Sequence, residues 1–297
     1  GYDAQSGVNG TATVSSARRP DGAGRQPQLG LCAPSAMTIA PDGSAGFFDD
    51  ASGVIYQVAF SGTTVTPGPS TSLVGIVGLA TDGSVVFGSV PGATIEQITP
   101  GTLALTPLIP DATVSGPLAV DPSTHGVYYA SSNVAGAIGV ALPPSYTTSY
   151  QDPGGDVVGG MVVRGSYLFA FATNAGTTYV RRANVPSFSG VVSFTPPLDA
   201  LSGMVARYDG MHAVAIGTSG ALYKISFFSP IPLTSKYTGA CPGATRLSGS
   251  IAGGLIYCYQ AGVSTMLTAY DVSGGIGFVP SANINVGFPI KEVYVTP

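Results

Sequence analysis

The chain has 297 residues, 11 Lys plus Arg against 15 Asp plus Glu, and a formal net charge of −4; 44% of it is apolar and only 9% charged. An average soluble domain carries about 25% charged residues, so this chain keeps itself in water with hydroxyls and turns, helped by 42 Gly and 24 Pro. The balance excludes disorder, which needs low hydrophobicity with high net charge, and it argues against nucleic acid, whose phosphates require clustered cations.

In chain order, residues 1–33 come first. They start at Gly1 with no charged-then-apolar leader, which reads as a processed chain or an expressed piece. They carry "NGT" at Asn9 to Thr11, a glycosylation acceptor pattern. Arg18-Arg19, like Arg181-Arg182 later, is an isolated basic pair on a solvated surface. The segment is too short and too rich in Gly, Arg and Gln for a domain of its own. One domain over 1–297 is expected, with 1–33 contributing to closure.

From Pro34 to Phe60, "PSAMTIAPDGSAGFFDDASGVIYQVAF" reads as three strands separated by turns at Asp42-Gly43 and Ser52-Gly53. Comparable units begin at Gly78, Gly116, Gly160, Gly203 and Gly249, and a fragment, "EVYVTP", begins at Glu292. The anchors Thr38, Gly78, Gly116, Gly160, Gly203, Gly249 and Glu292 recur every 38 to 46 residues, about the period of a four-stranded propeller blade. In each unit the first strand is small and apolar, as in "TIAP", "GLAT" and "MVAR". The second is bulkier ("GFF", "VYYA", "YLFAF"), and the third alternates ("VIYQVAF", "ALYKISF"). A Pro- or Ser-rich segment such as "VTPGPSTS" or "LPPSYTTSY" follows, which suits an outer edge because Pro cannot occupy a central strand. The fold class predicted is an all-β propeller of six or seven four-stranded blades. Seven is favoured if "EVYVTP" pairs with strands around Thr11 to Ser16, and six if it projects outward, where it would be free to complete a neighbour's blade.

The residues from Arg18 to Val58, "RRPDGAGRQPQLGLCAPSAMTIAPDGSAGFFDDASGVIYQV", resemble an NHL-type propeller repeat. Pro34, the Asp42-Gly43 turn and Asp49 or Asp50 stand where that pattern has its strand-opening Pro, "DG" turn and closing Asp. The other units keep the pattern only in part: "TDG" at Thr81 to Gly83 and "VDP" at Val120 to Pro122 retain the turn, and the units from Gly160, Gly203 and Gly249 drop its acid. The resemblance implies the fold and leaves function open, since such propellers serve both as binding modules and as enzymes.

Candidate chemistry is sparse. A calcium-dependent lactonase would need several carboxylates around the channel, and the inner strands offer Asp42, Asp82 and Asp121, which read first as turn residues. A zinc site is disfavoured because the two His, His125 in a loop and His212 in a strand, stand two units apart. The pairs Gly154-Gly155, Gly159-Gly160 and Gly274-Gly275 read as turns rather than as phosphate loops. No Trp is present to stack a sugar, and Tyr56, Tyr128, Tyr129, Tyr167, Tyr223 and Tyr257 read as packing between blades. Of the three cysteines, Cys241 and Cys258 are the favoured disulfide, with Cys32–Cys258 the alternative. The expectation is a non-catalytic extracellular structural, adhesive or protein-interaction propeller that associates with protein partners or with itself. It has no catalytic, cofactor or metal residue, no membrane insertion, and glycans attached. The rival readings are a hydrolase with a channel site and a carbohydrate-binding propeller.

Overall fold

The computed structural model describes residues 2–6, 12–16, 28–31, 36–40, 42–49, 53–61, 64–110, 114–132, 138–151, 157–174, 177–194, 200–206, 211–227, 233–249, 255–260, 263, 265–271, 279–285 and 292–294. Asn9, Cys32, Pro34 and Asp50, and the glycine pairs at 154–155 and 274–275, lie outside them.

Three strands open the chain: β1 (Tyr2–Ser6), β2 (Ala12–Ser16) and β3 (Gln28–Leu31). Blade 1 follows as β4 (Met37–Ile39), β5 (Ala45–Asp49), β6 (Val54–Ser61) and β7 (Thr64–Ser72). Blade 2 is β8 (Gly78–Thr81), β9 (Val86–Val90), β10 (Thr94–Thr99) and β11 (Ala104–Ile109). Blade 3 is β12 (Val114–Val120), β13 (Val127–Ser131), β14 (Ile138–Leu142) and β15 (Thr147–Gln151). Blade 4 is β16 (Val157–Arg164), β17 (Tyr167–Asn174), β18 (Thr177–Asn184) and β19 (Ser189–Phe194). Blade 5 is β20 (Leu201–Ala206), β21 (His212–Gly217), β22 (Leu222–Ser226) and β23 (Leu233–Tyr237). Blade 6 is β24 (Arg246–Gly249), β25 (Leu255–Tyr259), β26 (Met266–Asp271) and β27 (Val279–Asn285), and β28 (Glu292–Tyr294) comes last.

Six antiparallel blades are thus built from consecutive strands. A seventh four-stranded sheet, ordered β28-β1-β2-β3, draws on both ends of the chain. The inner strands β4, β8, β12, β16, β20 and β24 stand side by side in that order, and β28 lies next to both β24 and β4. The last strand therefore closes its own ring and does not project outward. Its partner differs from the one expected. Tyr2, Asp3 and Ala4 of β1 pair with Tyr294, Val293 and Glu292, while β2, which holds most of the Thr11 to Ser16 stretch, is one place further out. A closing blade lacking only its inner strand needs three more strands from the other end. The polar "YDAQS" gives no apolar alternation by which sequence reading would recognise one of them.

The core lies in the seams between blades. The largest fully buried side chains include Tyr128, Tyr129, Tyr223, Phe47, Phe87 and Phe169, each worth about 1.5–3 kcal/mol when removed from water. One seam packs Phe47 and Ile55 of blade 1 against Leu79, Val86 and Ile98 of blade 2. Another packs Ala119, Tyr128 and Val140 of blade 3 against Val163 and Leu168 of blade 4. Inner strands accept small residues because neighbouring sheets converge toward the axis. Glycine lets an aromatic ring lie flat on the next strand: a Cβ on Gly139 would come within 2.2 Å of the Tyr129 ring. The pair Gly159-Gly160 belongs to this class and is not the turn expected from sequence. Both residues lie inside β16 beside a bulge, and a Cβ on either would come within 2.5 Å of the Phe171 ring.

Outer strands carry the prolines, as with Pro67 and Pro69 in β7, Pro107 in β11 and Pro280 in β27. Cys241, in the connector before β24, is joined to Cys258 of β25 by a disulfide, and both are 2% exposed. Among the described residues no helix is long and apolar enough to cross a membrane.

Two outcomes follow from this architecture. Deleting 292–297 removes an inner strand flanked on both sides, so the melting temperature should fall by on the order of 10 °C, and a truncated chain that melts like the parent would show the ring closing without β28. Replacing both Cys241 and Cys258 by Ala opens a link of sequence separation 17 and should cost about 3 kcal/mol in denaturant unfolding.

Candidate functional site

In a ring of up-and-down blades, turns joining first to second and third to fourth strands lie on one face. Links from second to third strands and from blade to blade lie on the other. The first is termed the turn face below and the second the connector face.

The sequence candidates gather on the turn face. Asp42, Asp82 and Asp121 occupy the first-to-second-strand turns of blades 1, 2 and 3, and each caps its own turn. Asp42 Oδ1 accepts from the N–H and hydroxyl of Ser44 at 2.9 and 2.7 Å. Asp82 Oδ1 accepts from the Ser84 N–H and hydroxyl and from the Val85 N–H, each at 2.8 Å. Asp121, 1% exposed, accepts from the Ser123 N–H at 2.9 Å and hydroxyl at 2.7 Å, and its second oxygen takes the Thr124 hydroxyl at 2.6 Å. Asp and Ser two residues apart form this cap readily, because the short carboxylate reaches backbone donors just ahead of it. A second acid of the first unit, Asp49, is buried and accepts a hydrogen bond from the Ala36 N–H.

One pair crosses between blades. The imidazole of His125 donates from Nδ1 to Asp82 Oδ2 at 2.6 Å, with the His side chain 49% exposed and the Asp side chain fully covered. His125 takes this position from a left-handed backbone, φ 60°, held by its N–H to Asp121 O at 2.9 Å. The Tyr146 hydroxyl, from the third-to-fourth-strand turn of the same blade, donates to His125 O at 3.3 Å, and its ring packs 6.3 Å from that of Phe87 in blade 2. Burial pushes the Asp82 carboxyl up, but donors from His125, Val85 and Ser84 outweigh it and hold the group below the usual carboxylate range. Tyr146 is raised, by burial first and then by the charge of Asp82.

The arrangement is a clasp between turns 43 residues apart in sequence, and it leaves the outer imidazole edge toward water. The three carboxylates do not converge. Among the described residues no group of three or more His, Cys, Asp or Glu is placed to hold a metal ion. His212 begins β21, two blades from His125. Tyr128, Tyr129 and Tyr223 are fully covered in the seams. Burial first, and then the charge of Asp121, drives the Tyr128 hydroxyl well above its ordinary value.

On the connector face the structure shows what sequence reading did not single out. Val74 and Val77, in the link from β7 to β8, are 72% and 47% exposed, and Val263, between β25 and β26, is 63% exposed. Met266, which starts β26 on the same side, is also exposed. In sequence Val74 and Val77 sit in a run whose Ile76 and Leu79 face the core. Only the position of the link over the seam turns them outward.

No protein-family model matches the chain, and no curated protein matches it. Solved structures do resemble it in shape. Apo AztD from Citrobacter koseri superposes with a TM-score of 0.72 at 11% identity, covering 99% of this chain and 96% of that one. U3-55K gives 0.65 at 16% identity, covering 86% and 83%. The RRP9 WD40 repeats give 0.62 at 16% identity, covering 86% and 82%. At these identities the likeness is one of fold, a β-propeller.

Asp82 supplies a pH prediction with a definite sign. Its carboxyl is lower in the folded chain than in the unfolded one, so its stabilisation is full above the unfolded value and disappears as pH falls through the folded one. Asp82→Asn should cost about 1–3 kcal/mol at neutral pH, and the gap to the parent should close on titration below the carboxylate range. Equal losses at all pH values would show that the carboxylate charge plays no part.

Proposed function

We propose that this chain is a non-catalytic interaction propeller, a structural or adhesive component working outside the cell, and that it engages protein through its connector face. The observation that carries the reading is the set of exposed apolar side chains on that face, Val74, Val77, Val263 and Met266. Of the five exposed large apolar side chains among the described residues, only Val191 on the outer strand β19 lies off that face, a bias that suits an association surface. The opposite face uses its carboxylates on its own turns. A closed ring adds a rigid platform, so little ordering cost is paid on docking. The surface of few charges and many hydroxyls and the buried Cys241–Cys258 link agree with an oxidising, extracellular setting. The likeness in fold to the RRP9 WD40 repeats is compatible with the same reading and does not carry it.

A second reading has one observation in its favour. A covered carboxylate holding Nδ1 of a half-exposed imidazole, as Asp82 holds His125, leaves Nε2 able to accept a proton, the geometry of a general base. A hydrolase on the turn face would use that pair.

Light scattering on the native protein separates the two. An interaction propeller should run above its chain mass of 29.7 kDa, as an oligomer or a stable complex, and Val74→Asp with Val263→Asp should return it to the monomer with its melting temperature unchanged. A monomer that turns over small esters or lactones, with Asp82→Asn abolishing the turnover, would establish the hydrolase instead.

A further inference from the structure

The link from β7 to β8, residues 73–77, crosses the connector face over the seam between blades 1 and 2. It is pinned at both ends: the Leu73 N–H donates to Gly53 O at 2.7 Å and the Val77 N–H to Ser89 O at 3.0 Å. Gly53 has φ +83°, and a Cβ there would lie 2.8 Å from the Val74 Cα, so the link rests directly on the neighbouring turn. Leu73 and Ile76 point down into the seam. A Cβ on Gly88 of β9 would be 3.2 Å from Leu73 Cδ2 and 3.0 Å from Ile76 Cδ1. Val74 and Val77 are left facing out.

Glu96 of β10 is paired directly across from Gly88. Residues so paired project from the same side of a sheet, so Glu96 enters the layer that Leu73 and Ile76 cover, next to Ile98, whose Cδ1 would lie 3.3 Å from a Cβ on Gly88. Glu96 is 7% exposed, and its Oε2 has no hydrogen-bond donor among the described residues. Burial raises its carboxyl above the ordinary value. A buried carboxylate oxygen under an apolar link, without a donor, is unfavourable to the seam, and an isoleucine or leucine would fit the same pattern better. An uncompensated polar group of this kind calls for an explanation.

We propose that the seam between blades 1 and 2 on the connector face is a docking site for a polypeptide that presents a basic side chain flanked by apolar residues. Glu96 takes the basic group, and Val74 and Val77 take the flanks. The site rests on the interaction reading above and names its partner's chemistry. Charge selects the occupant. The chain is acidic overall, at −4, and Lys or Arg would bring Glu96 both the opposite charge and the N–H donor it lacks. A wholly apolar segment would leave the carboxyl unpaired, and an acidic one would be repelled. Glu has three rotatable side-chain bonds, so its carboxyl can turn toward an arriving donor while the sheet and the pinned ends of the link stay in place.

The test uses the full chain against arrays of 12-residue peptides that carry a central Arg, Lys, citrulline or Glu among positions varied over Val, Leu, Ile and Ser. Affinities of the selected peptides are then measured by fluorescence anisotropy. The expected result is selection of Arg or Lys with apolar flanks. Binding should be tenfold or more weaker for the citrulline peptide and for Glu96→Gln, and weakened as well by Val74→Ser with Val77→Ser, two surface changes that leave the seam intact. Glu96→Gln should melt no lower than the parent. Peptides whose binding ignores Glu96→Gln but is lost with Val263→Asp would overturn this site and leave the interaction reading standing. An array with no binder, from a protein that is also a monomer by light scattering, would overturn both.

Discussion

A propeller blade cannot stand alone, because each of its sheet faces is apolar and needs the neighbouring blade to cover it. The whole molecule therefore depends on the junction where the first and last parts of the chain meet, β28 against β1 in one sheet and beside β24 and β4 around the axis. Without that junction two seams would open to water. The remaining seams, each packed with aromatic and branched side chains, would lose the ring constraint that holds their angles. A three-residue strand, Glu292–Tyr294, thus carries an influence far beyond its own hydrogen bonds.

Much of this was legible in the sequence, because a radial array repeats its local chemistry. Small residues on inner strands, bulk on second strands and Pro- or Ser-rich outer segments recur in most units, and the blade boundaries follow from them; alternation on third strands is weaker, since β14 and β22 are buried at four of their five positions. The turn acids were legible for a local reason as well: Asp followed by Ser two residues later satisfies its own turn wherever it stands. Of the N-terminal strands only β2, the Thr11 to Ser16 stretch, was legible; β1 and β3 are strands through pairing rather than through any apolar pattern of their own. Gly159-Gly160 misled because a glycine pair has the same composition in a turn and in a strand that must pass beneath a Phe171 ring.

The candidate sites were harder to read, and for one physical reason. His125 and Asp82 come from different units at a sequence separation of 43, and the stretch between them carries no signal that their turns are adjacent in space. The exposure of Val74 and the burial of Glu96 likewise depend on how one link crosses a seam. Alternation on β10 gives a side for Glu96 but cannot say what lies above it. Residues whose role comes from within a unit are visible in the chain, and those whose role comes from between units are not.

The prolines of the rim have a bearing on growth. An outermost strand normally offers a row of backbone donors to which another sheet can add. In β7, Pro67 and Pro69 remove two of them, and Pro107 and Pro280 remove one each from β11 and β27. Those stretches of the circumference are poor templates for lateral fusion, the route by which discs of sheet spread into rafts. Among the six blades of consecutive strands, sideways growth is left to the proline-free outer strands β15, β19 and β23, consecutive in the ring, so a disc of this kind can meet a neighbour edge to edge along that arc of its rim and not around the whole of it.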